Sequence, residues 1–430
     1  MAEHGTPEWR RSFNALNLTQ LLGALNDNLF KQTIILLAAA APGEPTFSNS
    51  AVFEAIPMEP KALVAAVFSL PFILFGALGG SLADRRSKPA SIRFLKLSEA
   101  LLMALGAAAF AFGHAGVLLL VLFLMGSQSA FFGPNKYGVM PEILPLNQLS
   151  RGNAVIQATT YAAIIAGTLI AGEFLATFGQ RFAWMGACCV FVALVGYVVS
   201  RRMEPLPPAD PERQLVWNTL GGLMRDLRDG ARDKELLIAM FLGGLYLHVA
   251  GLLVLAIIKY AEALQFESIA AGATRLQGLL LVGLVAGSAL VHRLSRDRVR
   301  PGLAVIGLAG VAASIGGLGF GFESALGPSL LLGLAGVCAG VFLVPQRTIV
   351  QMRPAAHEKG RYMGTAQIVD FGALLLASFV YHVLEIELEF TPQQTMLYIG
   401  AVTAVGGTLL FTRSRLYLPG LKGLFSGGRK

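Results

Sequence analysis

Charge is what this sequence is short of. Only 14% of its 430 residues are Asp, Glu, Lys or Arg, against the ~25% usual in soluble domains. Of the rest, 54% of the chain is hydrophobic, and the mean hydropathy is +0.62. That balance excludes an ordinary soluble domain and implies an integral membrane protein. Cysteine is scarce too: Cys188, Cys189 and Cys338 all fall in apolar runs without metal-ligand spacing and read as small core residues. No P-loop, nucleophile elbow or zinc spacing occurs, so no metal or cofactor is expected. The alternating ten-residue segments of an outer-membrane barrel are also missing. The net charge of +8 sits in the connections between apolar runs and carries no nucleic-acid signal.

What the chain has in abundance is apolar stretches of about 20 residues, enough to cross a bilayer. We read twelve, at approximately 14–41, 62–83, 91–113, 116–133, 153–177, 182–200, 236–260, 273–294, 301–321, 325–344, 362–384 and 394–412. The 49 glycines suit close packing of such helices. The longest polar interruption, Arg201 to Lys234, includes PLPPADPER and then a charged, amphipathic stretch. The pattern predicts an all-α integral membrane protein with twelve transmembrane helices in two pseudo-symmetric six-helix bundles. They would occupy residues 1–200 and 235–413, with a cytoplasmic central loop at 201–234 and a cytoplasmic tail at 414–430. Arg10 and Arg11 before an apolar stretch ending in four alanines imitate a secretory signal. A signal's apolar region runs only about 7–15 residues, whereas this one is longer and interrupted by Asp27 and Lys31, so we take it as an uncleaved first span.

Lysine and arginine set the orientation. With the N-terminus inside, all 34 fall in cytoplasmic segments except Lys31, Lys61, Arg181, Lys259 and Arg275. The cytoplasmic set includes the run Arg85 to Lys96 and the run Arg347 to Arg361. So lopsided a distribution places both termini in the cytoplasm by the positive-inside rule. An internal repeat runs through the same segments. Pro134-Asn135-Lys136 matches Pro345-Gln346-Arg347, and Gly152 matches Gly364 at nearly the same offset. Two six-span halves related in this way imply a transporter whose substrate site lies near the midplane.

The first span is the anomaly. It reads NLTQLLGALNDNLFKQTIILLAAAA and carries Gln20, Asn26, Asp27, Asn28 and Lys31. At ~1.5 Å per residue, Asp27 lies roughly 15 Å from Asn17, near the centre of a ~30 Å hydrocarbon core. Gln20, Ala24, Asp27 and Lys31 share one helix face. Ionisable residues at that depth normally face a bundle interior or a water-filled path. The other reading is an intrahelical pair, with Asp27 and Lys31 neutralising each other four residues apart. Asp370, mid-helix in the eleventh span, raises the same question.

Between the second and third spans lies GSLADRRSK, Gly80 to Lys88. It resembles the G-x-x-x-D-R-x-G-R/K loop of the major facilitator superfamily, with Ser87 where the family prefers glycine. Gly80 would let two helices approach, while Asp84, Arg85 and Arg86 would latch helix ends in a gate. QLLGALNDNLFK in the first span, GPNKYGVMPEILP after the fourth, GNAVIQATT in the fifth and VPQRTIVQ in the tenth are similar to the bacterial lysophospholipid transporter family. That family is a branch of the same superfamily, and the similarity covers essentially the whole chain. The resemblance implies a major facilitator fold in a bacterial inner membrane. It also implies a flippase that moves lysophospholipids, chiefly lysophosphatidylethanolamine and lysophosphatidylglycerol, toward the cytoplasmic leaflet. There an acyltransferase/acyl-ACP synthetase partner would reacylate them. No fused enzyme is expected within these 430 residues, and a monomer is expected.

Such a substrate needs a polar slot for its headgroup and an apolar wall for one acyl chain. The candidate contacts are Asn26, Asp27, Asn28 and Lys31, with Gln157, Lys259, Gln367 and Asp370. A phosphate would want Lys31 or Lys259, and an ammonium would want Asp27 or Asp370. Lys259 also suits snorkelling at a span end, and Gln157 and Gln367 suit interhelical hydrogen bonds. Lys136 is a further gate or phosphate candidate, and Glu173 lies nearer the far face. His292 and Asp297 match the H-x4-D spacing of lipid acyltransferases. They sit in a short basic loop with no pocket for a base and no Gly-rich motif downstream, so we read coincidence and expect no enzyme. The alternative within transporters is a proton-coupled exporter of drugs or small solutes, with Asp27 or Asp370 carrying the proton.

Overall fold

A backbone in hydrocarbon must satisfy every N–H and C=O, and a helix does so within one segment. The computed structural model describes residues 7–38, 60–178, 181–265, 269–294, 299–322 and 324–425, and among them it holds fourteen α-helices and no strand. In order they are α1 (Pro7–Ala38), α2 (Pro60–Arg85), α3 (Lys88–Phe112), α4 (Ala115–Ile143), α5 (Leu149–Phe178), α6 (Phe182–Ser200) and the short α7 (Thr219–Gly230). Then come α8 (Lys234–Ala263), α9 (Ile269–Leu294), α10 (Gly302–Gly317), α11 (Leu326–Met352), α12 (Lys359–His382), α13 (Pro392–Phe411) and the short α14 (Tyr417–Phe425). Eleven of them, α2–α6 and α8–α13, are long and apolar enough to cross a membrane. The first helix has the length, 32 residues, and differs by its polar run from Asn26 to Lys31. It supplies the twelfth span; residues 39–41 of the span read from sequence lie outside the described residues.

Several helices outrun the apolar stretches that announce them. GPNKYGVMPEI is the last part of α4, and VPQRTIVQM is the last part of α11, so prolines sit inside both helices. Proline has no N–H for the carbonyl four residues back. For Pro134 that carbonyl belongs to Ala130, and Gln367 Nε2 donates to it at 3.1 Å. A side chain from elsewhere thus repairs the missing rung, which is how membrane helices tolerate proline.

The helices form two compact units. Unit 1 comprises residues 1–144, 163–223 and 356–367; unit 2 comprises residues 145–162, 224–355 and 368–430. In unit 1, α1 packs on α4 and α6, α2 on α4, and α3 on α4 and α6. In unit 2, α8 packs on α11 and α13, α9 on α11, and α10 on α11 and α13. These are the same pairings displaced by one repeat, as two copies of a six-helix motif require. Apolar side chains fill one region of unit 1, where Phe30 meets Phe110 edge-on with ring centroids 5.3 Å apart, among Met103, Leu122 and Met185. Unit 2 relies more on backbone approach. A Cβ on Gly340 of α11 would lie 2.5 Å from the Leu284 carbonyl of α9, so only glycine lets those helices meet.

Candidate functional site

Unit 1 buries a connected set of polar side chains in its interior. Lys96 and Glu99, 2% and 1% exposed, face inward from α3 and pair at 2.5 Å. Asn26 Nδ2 of α1 donates to Glu99 Oε1 at 3.1 Å. From α4, Gln128 Nε2 reaches the Leu95 carbonyl at 3.2 Å and Glu99 Oε2 at 3.4 Å. The neighbouring Ser129 Oγ donates to Asp27 Oδ2 at 2.9 Å. Three helices therefore converge on two carboxylates and one ammonium, and each charge is hydrogen-bonded, as buried charges must be. Room for Lys96 comes from Gly23, against which its ammonium lies.

Lys31 stands apart from this set. It forms no ion pair with Asp27; its ammonium lies over the Phe68 ring, 5.1 Å from the centroid. The face-sharing read from the sequence thus yields a carboxylate and an ammonium with different partners. Asn28 turns back on its own helix, donating to the Ala24 carbonyl at 2.8 Å.

Unit 2 has a second charged pair. Arg347 of α11 donates to Asp370 Oδ2 of α12 at 3.0 Å, and Asp370 is 6% exposed. Gln346, next to Arg347, donates to the Ala239 carbonyl of α8 at 2.7 Å. A Cβ on Gly243 would come within 2.8 Å of both Asp370 Oδ1 and Gln346 Nε2. Gly23 of α1 and Gly243 of α8, the first helices of their repeats, therefore both make room for a charged group. Gln157 is buried on α5 in this unit. Lys259 is half-exposed near the end of α8 and pairs with Glu385 beyond the end of α12.

Next to Arg85 and Arg86, one aspartate ties two helix ends together. Asp84, fully buried in the last turn of α2, accepts hydrogen bonds from the backbone N–H groups of Gly360 at 2.7 Å and Arg361 at 2.8 Å. These are the second and third residues of α12, whose first N–H groups have no partner within their own helix. Asp84 therefore caps α12 from another helix, and its charge faces the positive end of that helix's dipole. Within the same unit Gly80 allows the approach, because a Cβ there would lie 2.6 Å from the Gly360 carbonyl. Lys88 stands between Asp84 at 3.7 Å and Glu142 at 2.6 Å. The segment after α6 runs past this end: Asp210 N–H donates to the Asp84 carbonyl at 2.9 Å, and Val216 N–H to Ser81 Oγ at 3.2 Å. Arg85 and Arg86 are exposed, while Lys136 is half-buried with its ammonium over the Tyr137 ring at 4.4 Å.

Two residues that the charge count assigns to the basic connections belong inside. Lys96 is in the interior of unit 1, and Arg347 is a helix residue paired with Asp370. The Lys96–Glu99 spacing of three along an apolar helix was the available signal, since it places an ion pair on one face. Asp297, the acid of the H-x4-D spacing, lies outside the described residues; His292 is in the last turn of α9.

The sequence profile of the Major Facilitator Superfamily matches residues 45–378. The lysophospholipid transporter LplT of Pectobacterium carotovorum subsp. carotovorum (strain PC1) is 29% identical over 389 residues, 88% of each chain. Its namesake in Escherichia coli O127:H6 (strain E2348/69 / EPEC) is 26% identical over 427 residues, 96% of this chain and 98% of that one. Among solved structures, the human organic anion transporter MFSD10 (TETRAN) superposes with a TM-score of 0.74 at 17% identity, covering 94% of this chain and 100% of that one. FucP in its outward conformation does so with a TM-score of 0.71 at 14% identity, covering 94% and 98%. At those identities the structures speak to the fold alone. Twelve spans in two matching sets, the GSLADRRSK latch and the extent of the profile match agree: this chain is a multi-pass membrane transporter of the major facilitator superfamily, related in sequence to the bacterial lysophospholipid transporters.

Proposed function

We propose that the protein moves lysophospholipids, lysophosphatidylethanolamine among them, across the bacterial inner membrane toward the cytoplasmic leaflet by alternating access. The observation that carries this reading is on α1. Asn26 Oδ1 and Asp27 Oδ1 are buried acceptors without a hydrogen-bond partner among the described residues. One turn away, Lys31 lies over the Phe68 ring and forms no ion pair with a carboxylate among the described residues. Each buried orphan acceptor costs about 1–3 kcal/mol, and a ligand with N–H donors removes that penalty on binding. An ethanolamine ammonium offers such donors, and the attached phosphate offers Lys31 an anion. A zwitterionic headgroup therefore matches both signs of this stretch, and the relatives named as lysophospholipid transporters support the same substrate class. Following the positive-inside rule, the end with the Asp84 latch faces the cytoplasm. There an acyltransferase/acyl-ACP synthetase would consume the delivered lipid.

The test is uptake of labelled lysophosphatidylethanolamine into spheroplasts lacking their own transporter. Wild type should take it up, and Asp27→Asn and Lys31→Ala should each reduce uptake about tenfold or more at equal expression, the scale of one lost charge-assisted contact. No uptake by wild type overturns the lipid assignment and leaves the proton-coupled exporter, with Asp27 as proton carrier, as the reading to pursue. Normal uptake by both variants would make the α1 charges structural.

A further inference from the structure

A cavity of about 850 Å³ opens between the basic ends of α1 and α6 in unit 1. Its lining on α1, from Leu18 to Arg10, lies roughly 14–25 Å along the helix from Asp27, and none of the residues of the sites described above lines it. Arg10 and Arg11 enter it from α1 and Arg202 from the exit of α6; Leu18 and Val199 form its apolar wall. All three arginines are exposed, and the Arg10 guanidinium stacks over Trp9 with 5.5 Å to the ring centroid. The two sides of the cleft are tied together. Glu204 N–H donates to Ser12 Oγ at 3.2 Å, and Arg93 Nη2 donates to the Met203 carbonyl at 2.8 Å. The first bond fixes the α6 exit beside α1 and the second holds it to α3, so the cleft is preformed. Asn14 adds an amide to the lining, and the half-buried Glu204 is the acidic side chain just beyond it.

We infer that this cleft binds an anionic phospholipid of the surrounding bilayer, with its phosphate held by Arg10, Arg11 and Arg202 and an acyl chain laid against Leu18 and Val199. Three guanidiniums brought to one cleft repel one another, and an anion removes that repulsion. Guanidinium forks match phosphate oxygens two at a time. The apolar wall selects against a free anion. Leu18 lies roughly 12 Å down the helix from Arg10 and is 41% exposed, which places an open apolar surface where the first carbons of an acyl chain would run. Exposed Leu194 and Val198 continue that surface along α6. Basic pockets between spanning helices at the headgroup level are the geometry that recognises anionic headgroups.

The inference is tested by native mass spectrometry of the full-length protein in detergent, titrated with phosphatidylglycerol or phosphatidylethanolamine of matched chains. Wild type should bind phosphatidylglycerol about tenfold more tightly, because the ammonium of phosphatidylethanolamine is repelled by the three guanidiniums that hold the phosphate. The triple variant Arg10→Gln, Arg11→Gln, Arg202→Gln should lose that preference. The triple Lys variant keeps the charges that orient the chain but not the planar forks, and should retain about threefold. Inorganic phosphate at millimolar concentration should not displace the lipid. Equal affinity of wild type for the two lipids, an undiminished preference in the Gln variant, or displacement by inorganic phosphate would each overturn the assignment. If the Gln triple fails to fold, Arg202→Gln alone decides by the same comparison. None of these readouts involves transport, so the result stands whatever the substrate proves to be.

Discussion

Replacing Asp84 by alanine should unfasten the first turn of α12. The carboxylate accepts two backbone hydrogen bonds, at 2.7 and 2.8 Å, in a fully buried position. A hydrogen bond to a charged group contributes about 1.5–3 kcal/mol, but these two share one carboxylate and do not add in full. Lys88 loses its 3.7 Å neighbour yet keeps Glu142 at 2.6 Å, so it is not stranded. We therefore expect a local loss of about 3 kcal/mol, roughly a hundredfold in the opening equilibrium. Hydrogen exchange followed by mass spectrometry reads this directly, on peptides spanning 356–367. Asp84→Ala should speed exchange at the Gly360 and Arg361 amides by roughly that factor. Asp84→Asn keeps one acceptor oxygen and should fall about halfway on a logarithmic scale. Unchanged protection in Asp84→Ala would refute the idea that this side chain caps α12.

The close approach of α2 to the 356–367 segment makes Gly80→Ala destabilising. Its Cβ would lie 2.6 Å from a backbone oxygen that cannot give way, an overpacking of about 1–3 kcal/mol. Gly172→Ala, with nothing within 4 Å, should leave the thermal midpoint in detergent unchanged or raised; equal effects of the two would sink the argument. Glu99→Ala strands the Lys96 ammonium in unit 1 and should cost about 3–5 kcal/mol, whereas Lys96→Met with Glu99→Leu should recover most of it. Additive losses in the double variant would show that the pair is not the issue. Asp233 precedes α8 and accepts two bonds of 2.7 Å from Arg353. Burial alone would raise its carboxyl, but the Arg353 bonds and the α8 backbone N–H groups outweigh that and hold it below the ordinary carboxylate value. A depressed folded-state value stabilises above the unfolded value of about 3.9 and is lost as pH falls through the folded value. The thermal-midpoint gap between wild type and Asp233→Asn should thus be constant from about pH 8 to 5 and close below about pH 4; a gap that widens in acid contradicts this.

Hydropathy made the spans legible because a helix in lipid must be apolar for its full crossing. The polar first span was legible for the converse reason, since Asp27 and Lys31 have no place in one. The repeat around Pro134 and Pro345 also survives in the structure, as matching last parts of α4 and α11. What escaped was whatever depends on a partner distant in sequence. Lys96 and Arg347 adjoin runs of surface arginines, and charge counting cannot tell a buried basic residue from an orienting one. Gln367 read either as a headgroup contact or as an interhelical hydrogen bond, and the carbonyl to which it donates, that of Ala130 freed by Pro134, could not be named from the sequence. Asp84 was legible as a tie between helix ends, but its partners on α12 were not, because a main-chain N–H has no letter in the sequence.

A side chain that holds main-chain amides has a genetic consequence. Asp84 grips an amide that every substitution at Arg361, proline excepted, would still present, whereas a Cβ on Gly360 would lie 2.7 Å from the carboxylate itself. No replacement at Arg361 can restore what a change at Asp84 removes. Second-site revertants of an Asp84 variant should therefore map to residues that regulate the approach of the two helices, such as Gly76, Gly80 and Gly364, or that crowd the carboxylate, such as Lys88. For the same reason Asp84 should show little pairwise covariation with Arg361, whereas position 360 is held to glycine by the carboxylate's own proximity.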